Sequence, residues 1–314
     1  DNAGTALAAA GDVDGDGLID LLVGAPYYDD AAGNTGKAYL VTGVDMISAG
    51  SSASLAIATH GFLGEGVNDM AGTAVASAGD VDGDGMTDLL IGATGDDDGG
   101  SNAGKAYLVL ASTVAGLGSS PSLADADYYF YGEAAADGAG AALAGVGDID
   151  GDGLDDFMVG ASGNDDAGAS AGKAYLLLGS SLSSSGSLAS ADSIFTGAAA
   201  GDELGHVVAG VGDVDFDGFG DALITAPMHD MSGVDAGASY LLFGQTLRSG
   251  TATYDMSDTV YDYCFTGDES GDYSGSAAGT AGDVNGDGYS DLLFGAYGYS
   301  SETGRAYLAL SPGL

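Results

Sequence analysis

The stretch Gly11–Pro26, GDVDGDGLIDLLVGAP, decides the reading of this chain. It opens with an acidic loop of the form D-x-[DN]-x-D-G-x-x-D and runs straight into an apolar segment. Asp12, Asp14, Asp16 and Asp20 stand at its positions 1, 3, 5 and 9. Alternate residues of a tight turn converge on one point, and calcium takes roughly six to eight oxygen ligands. Gly17 at position 6 permits the sharp reversal, and the carbonyl of Leu18 at position 7 offers a neutral ligand. Magnesium prefers fewer protein carboxylates and more water. Zinc is disfavoured without His or Cys in the loop.

The loop recurs. It returns as GDVDGDGMTDLLIGAT at Gly79, GDIDGDGLDDFMVGAS at Gly147, GDVDFDGFGDALITAP at Gly212 and GDVNGDGYSDLLFGAY at Gly282. The leading aspartates fall at 12, 80, 148, 213 and 283, so the spacings are 68, 68, 65 and 70. Asp and Gly are common in any turn, but five copies at a near-constant period set that reading aside. Five Ca²⁺ sites are therefore expected. Their ligands are Asp12, Asp14, Asp16, Leu18 and Asp20; Asp80, Asp82, Asp84, Met86 and Asp88; Asp148, Asp150, Asp152, Leu154 and Asp156; Asp213, Asp215, Asp217, Phe219 and Asp221; and Asp283, Asn285, Asp287, Tyr289 and Asp291. Asn285 keeps an oxygen ligand with one charge fewer. The loop begins like an EF-hand, which requires a bidentate Glu at position 12. Here that position holds Val23, Ile91, Val159, Ile224 and Phe294, so the loops are expected between strands and not between helices.

Two further signatures keep the same period. One reads GKAYLVTG from Gly36, GKAYLVLA from Gly104, GKAYLLLG from Gly172, GASYLLFG from Gly237 and GRAYLALS from Gly304. The other is F-x-G around Phe62, Phe130, Phe195 and Phe265, four copies and not five. Each unit reads as four strands: a short run before the loop (TAVASAG from Thr73), the apolar run after it (DLLIGA from Asp88), the KAYLVL run and the F-x-G strand. No stretch holds a sustained helical period with caps, so little helix is expected. Ser- and Ala-rich stretches such as SSLSSSGSLASAD from Ser180 read as loops. Units of this size, covered on both faces, predict an all-β fold, a β-propeller of five four-stranded blades. The blades fall at about 1–66, 67–134, 135–200, 201–270 and 271–314 of a single domain, 1–314. A parallel β-helix would need a nonapeptide period, which is absent.

These residues resemble the FG-GAP repeats of integrin α-subunit propellers and of related secreted bacterial proteins. The match rests on the four F-x-G copies, the GDxDxDG loops, and the G-A-P-like ends at Gly24-Ala25-Pro26, Gly92-Ala93, Gly160-Ala161 and Gly295-Ala296. It covers nearly the whole chain. The resemblance implies calcium in the hairpin loop between the first two strands of each blade. Weak calcium sites of this kind would be empty at cytosolic calcium levels, so an extracellular or cell-surface location is expected. The fourth copy departs from the pattern, with Phe216 for the loop glycine, Thr225 for the G of G-A-P and Ala238 for the basic residue. Integrin-type propellers have seven blades, only some of them with calcium.

Composition bounds the function. The 314 residues carry 47 acids against 5 bases, a net charge of −42. Nucleic acid and anionic membrane surfaces are poor partners for such a surface, and cations are the natural counter-species. Acids outside the loops also suit a halophilic or marine surface protein. No apolar run reaches the ~18 residues of a membrane span, so no membrane insertion is expected, and no signal peptide is visible. Cys264 stands alone, which rules out an intrachain disulfide and suggests a buried, inert thiol. Lys37, Lys105, Lys173 and Arg305 share one repeat position. They form either a ring that binds an anion or ion pairs with acids such as Asp29, Asp97 or Asp165, the second reading being favoured. The tyrosines Tyr39, Tyr107, Tyr175, Tyr240 and Tyr307 read as packing between blades. His60, His206 and His229 lie in different repeat contexts, and no nucleophile motif is present.

The favoured reading is a non-enzymatic, extracellular, calcium-stabilised structural or interaction module. It would serve in cell-surface adhesion, with a protein or glycan as partner, or as a filament subunit. The alternative is an accessory or catalytic propeller of a secreted carbohydrate-active enzyme, in which two acids outside the loops act on a glycosidic bond. The fifth unit ends after its KAY-type strand. Its fourth strand is therefore expected to be missing. Three explanations stand: a fragment of a longer propeller, a three-stranded blade, or an edge filled by a strand from a neighbouring copy, which would build a filament.

Overall fold

Each acidic loop joins two antiparallel strands, and the sequence around it shows why. In the first repeat β1 (Ala6–Gly11) and β2 (Asp20–Ala25) flank the loop, followed by β3 (Lys37–Val41) and β4 (His60–Leu63). They form one sheet in the order β1-β2-β3-β4. The register of β1 on β2 shifts between Ala9 and Gly11, a bulge that falls where the strand enters the loop. Gly11 takes φ +75° there, a left-handed conformation that β-branched or bulky residues resist. The same shift precedes the loop at Ser77/Gly79, Gly210/Gly212 and Thr280/Gly282.

A computed structural model describes residues 1–30, 33–50, 52, 54–248 and 252–311. The second sheet holds β5 (Ala71–Gly79), β6 (Asp88–Ala93), β7 (Lys105–Val109) and β8 (Tyr128–Tyr131). The third holds β9 (Ala142–Gly147), β10 (Asp156–Ala161), β11 (Lys173–Leu177) and β13 (Ser193–Thr196). Between β11 and β13 lies a two-residue strand, β12 (Gly186–Ser187). The fourth sheet holds β14 (Val208–Gly212), β15 (Asp221–Ala226), β16 (Ala238–Leu242) and β18 (Tyr263–Thr266), with β17 (Ala252–Asp255) between the last two in sequence. The fifth has three strands among the described residues, β19 (Ser274–Gly282), β20 (Asp291–Ala296) and β21 (Arg305–Ala309). The chain is thus all-β, a β-propeller chain of five blades with the fifth a strand short, as the sequence predicts.

The Ser-rich connections are not plain loops. β12 pairs in parallel with β8, and β17 pairs in parallel with β13. Leu63 and Ser122 make the corresponding single parallel bridge. In each case the connection before an F-x-G strand covers the outer edge of the preceding repeat's F-x-G strand. An open sheet edge invites unwanted pairing, and this is a local way to blunt it. Small Ser and Gly carry no periodic apolar signal, so the pairing was not legible. A seven-residue helix, α1 (Gly43–Ala49), follows β3 and is capped by Thr42, whose side chain accepts from the Asp45 N–H. It was also not predicted.

By contacts the chain divides into two units, Asp1–Leu143 with Leu182–Ser190, and Ala144–Ser181 with Ala191–Leu314. In the first, Leu22, Leu40, Phe62, Leu89, Ile91 and Tyr107 belong to one buried cluster. In the second, Val211, Leu223, Leu241, Leu292 and Phe294 do so. The strands after the second, third and fourth loops are covered on both faces, with Leu89, Leu90 and Ile91 wholly buried, while in β20 Leu293 is exposed. This accounts for their continuous apolar runs. The G of G-A-P has a packing cause: a Cβ on Gly24 would lie 2.1 Å from the Gly72 carbonyl oxygen, and one on Gly92 2.0 Å from that of Gly140. Only glycine lets the neighbouring backbone pass so closely.

Candidate metal centre

Within each loop the carboxylates hold the backbone in a fixed coil. The Asp12 carboxylate accepts from the N–H groups of Asp16 (3.0 Å) and Gly17 (2.9 Å). Asp14 accepts from Asp16 N–H at 3.2 Å, and Asp16 from Leu18 N–H at 2.8 Å. The same bonds recur in the second loop around Asp80, Asp82 and Asp84. The third and fourth loops repeat them around Asp148 and Asp213. In the fifth, Asn285 Oδ1 accepts from Asp287 N–H at 2.9 Å, so the asparagine keeps the turn. Position 4 takes positive φ in every copy, Phe216 included at φ +65°.

Positions 1, 3 and 9 converge. Asp12, Asp14 and Asp20 each place an oxygen within 4.8 Å of the others, as do Asp80, Asp82 and Asp88, Asp148, Asp150 and Asp156, and Asp213, Asp215 and Asp221. The fifth loop offers Asp283 and Asp291 with Asn285 as the third member. Position 5 stands differently. Asp16, Asp84, Asp152 and Asp217 are outside these groups of three and are tied to the N–H two residues on. The position 7 residues Leu18, Met86, Leu154, Phe219 and Tyr289 have their N–H groups held by that same bond.

The donor set fits a hard divalent cation. It is all oxygen, and Asp217 Oδ2 is buried with no hydrogen-bond partner, an orphaned charge that a cation would satisfy. Burial pushes the carboxyls of Asp88, Asp156 and Asp221 up to about 7, and neighbouring loop acids push the same way against two N–H donors each. Asp20, Asp82, Asp150 and Asp215 are likewise raised, chiefly by burial. Without a counter-charge the cluster resists full ionisation; a bound Ca²⁺ would supply that charge.

Position 9 does more than the sequence reading gave it. Asp88 is fully buried. Its Oδ2 accepts from Val81 N–H (2.9 Å) and its Oδ1 from Ala111 N–H (2.8 Å), just past the end of β7. Asp20, Asp156, Asp221 and Asp291 repeat the bridge, to Gly43, Gly179, Gly244 and Ser311. The loop is therefore stapled to the third strand of its own sheet.

Lys105, Lys173 and Arg305 form ion pairs, but not with the acids expected, whereas the Lys37 ammonium lies over the rings of Tyr28 and Tyr39. Lys105 is 1 % exposed and meets Glu65 at 3.0 Å, Asp96 at 3.0 Å and Asp98. Lys173 meets Asp166 at 2.6 Å, and Arg305 meets Asp268 at 2.9 Å. The expected Asp97 and Asp165 instead accept from the N–H groups of Asn102 and Ser170 within their own turns. The acid after F-x-G was the missed residue, and a signal existed. Where it becomes Ala198, the basic position of the next repeat becomes Ala238. There His229 and Met231 replace Asp96 and Asp98, and His229 Nε2 stands 3.8 Å from Asp202. Tyr107, Tyr175 and Tyr240 are buried as packing residues, and Tyr39 and Tyr307 are half-buried. Cys264 is half-buried, and burial pushes its thiol up to about 11, which suits an inert thiol.

Repeated sheets with a cluster of carboxylate oxygens in the first hairpin define a β-propeller repeat with candidate metal loops. The FG-GAP repeat family matches residues 3–41, 71–109, 139–177, 204–242 and 274–308, and the chain belongs to that family. Integrin alpha-PS2 of Drosophila melanogaster is 34% identical over 159 residues, 50% of this chain. The matched part is 11% of that protein's own length.

Proposed function

We propose that this chain is an extracellular, calcium-stabilised, non-enzymatic interaction module that binds a protein or glycan at a cell surface. The observation that carries it is the convergence of positions 1, 3 and 9 in four loops, with the fifth built alike. The five sites take Ca²⁺ through the carboxylates at positions 1, 3, 5 and 9, the side-chain oxygen of Asn285, and the position 7 carbonyls. Family membership and the likeness to an integrin α chain support the adhesive part of the reading. Five bound Ca²⁺ would bring the net charge from −42 to about −32, relieving self-repulsion. Extracellular calcium sites have Kd of ~10⁻⁴–10⁻³ M, far above cytosolic calcium. At calcium tenfold above Kd each site contributes about 1.4 kcal/mol, and five sum to about 7 kcal/mol, comparable to a domain's whole stability. The test is resistance to protease across a calcium titration. A midpoint between ~10⁻⁴ and 10⁻³ M supports the reading; protection that is complete below micromolar calcium, or independent of calcium, refutes it.

A second reading, a filament subunit, is favoured by β21, which pairs only with β20 among the described residues. A strand from a neighbouring copy fits such an edge. Sedimentation that rises with concentration supports it, and a monomer at all concentrations refutes it.

A further inference from the structure

At two junctions between loops, a position 7 side chain lies over the position 4 glycine of the preceding loop, Met86 over Gly15 and Phe219 over Gly151. The fourth loop breaks this arrangement. Phe216 stands where the other four loops have Gly15, Gly83, Gly151 and Gly286, and it keeps their left-handed backbone at φ +65°. Bulky side chains resist that conformation. Packing gives little in return, because Phe216 is 69 % exposed. Its ring meets Tyr289, at position 7 of the fifth loop, with centroids 5.1 Å apart and planes at 57°. A large aromatic held exposed in an unfavourable backbone conformation points to a use at the surface.

The same two loops adjoin the one basic residue outside the repeat position that Lys37, Lys105, Lys173 and Arg305 share. Arg248 is exposed, and its guanidinium lies 4.6 Å from the centre of the Phe219 ring. Among the described residues no carboxylate lies within ion-pair range of it, although the chain carries 47 acids. Lys105, Lys173 and Arg305 are all paired. Phe219, Phe216 and Tyr289, with an unpaired guanidinium over the first, therefore form an aromatic strip along the fourth and fifth loops.

The chemistry of the strip selects its occupant. Nucleic acid is disfavoured by the net charge of −42. An extended peptide takes main-chain hydrogen bonds, and here the loop donors are already used. The N–H groups of Asp217, Gly218 and Phe219 go to loop side chains, as do those of Asp287, Gly288 and Tyr289. A saccharide needs none of them. The C–H-lined face of a sugar ring packs on the electron-rich face of an aromatic ring, and a guanidinium takes a carboxylate in a two-pronged bond. We propose that this strip binds an oligosaccharide of the uronic acid type, with one ring stacked on Phe216 and a carboxylate on Arg248. The loop acids repel such a ligand until their charge is neutralised, so binding is expected only in calcium. The inference names a glycan class for the module proposed above and rests on that reading; its own evidence is the aromatic and arginine strip, independent of calcium affinity.

The test uses the full chain in millimolar calcium, with fluorescent trigalacturonate as the probe and the neutral galactose trisaccharide as its comparison. Saturable binding of the acidic probe is expected, about tenfold or more tighter than that of the neutral one. Phe216→Gly restores the residue of the other four loops, so it should keep the fold and the calcium count while weakening binding about tenfold. Arg248→Gln should abolish the preference for the acidic sugar. Protease resistance across a calcium titration, measured on each protein, reads the fold separately. Calcium-dependent resistance without sugar binding refutes the strip alone, and resistance independent of calcium refutes the module reading. Binding indifferent to Phe216→Gly, as calcium bridging between acids would give, overturns the proposal. So does equal or tighter binding of the neutral sugar or of a triglutamate peptide.

Discussion

Replacing Asp88 with alanine separates the two duties of position 9. The carboxylate is fully buried and accepts from Val81 N–H at 2.9 Å and Ala111 N–H at 2.8 Å. Truncation leaves two buried donors unpaired, each at a cost of about 1–3 kcal/mol. Part of this is offset, because burial already pushes the Asp88 carboxyl up to about 7 and its removal relieves that penalty. A net loss of about 2–4 kcal/mol is expected even without calcium, with a further ~1.4 kcal/mol in calcium from the lost site. Asp82 supplies the contrast. It is exposed, and its one loop bond goes to Asp84 N–H at 3.1 Å. Asp82→Ala should cost little in chelator and lose only the calcium increment. The assay is urea unfolding of both variants and the parent, with chelator and with millimolar calcium. If Asp88→Ala matches the parent in chelator, the stapling argument is wrong.

Two further outcomes follow from the same geometry. In the metal-free protein Asp88, Asp156 and Asp221 carry carboxyls near 7 against 3.8 for an ordinary aspartate, so the folded chain binds more protons than the unfolded one between these values. Metal-free stability should therefore fall as pH rises from about 4 to about 7, while the calcium-induced gain shrinks on acidification because ligation needs ionised carboxylates. Melting curves from pH 8 to 5, run with and without calcium, check both signs; a metal-free protein that loses stability from pH 7 to 5 refutes the first. Lys105→Met strands Glu65, Asp96 and Asp98 around a buried gap and should cost about 3–5 kcal/mol, as breaking a buried pair does. Adding Glu65→Ala, Asp96→His and Asp98→Met, the residues that stand at Ala198, His229 and Met231 around Ala238, should recover most of it in thermal unfolding.

The blades were legible because repetition multiplied weak signals. One DxDxDG is a turn; five at a near-constant period are an architecture, and the buried runs such as Leu89–Ile91 followed from it. Convergence of positions 1, 3 and 9 was legible for the same reason. Three things were not. The bridge from position 9 to the end of the third strand spans 23 residues in the second loop and leaves no local pattern. The parallel cover of β8 by Gly186–Ser187 is made by backbone from a Ser-rich stretch, where side-chain periodicity says nothing. The inter-repeat partner of Lys105 lies 40 residues away at Glu65, and only the joint replacement of acid and base by Ala198 and Ala238 marks it in sequence.

The central claim is that the five acidic loops are calcium sites. Counting bound metal by native mass spectrometry in millimolar calcium tests it most directly. The account predicts five Ca²⁺ per chain, one per loop, and four in Asp82→Ala. A parent chain that binds none or one, or a count unchanged by Asp82→Ala, would contradict it.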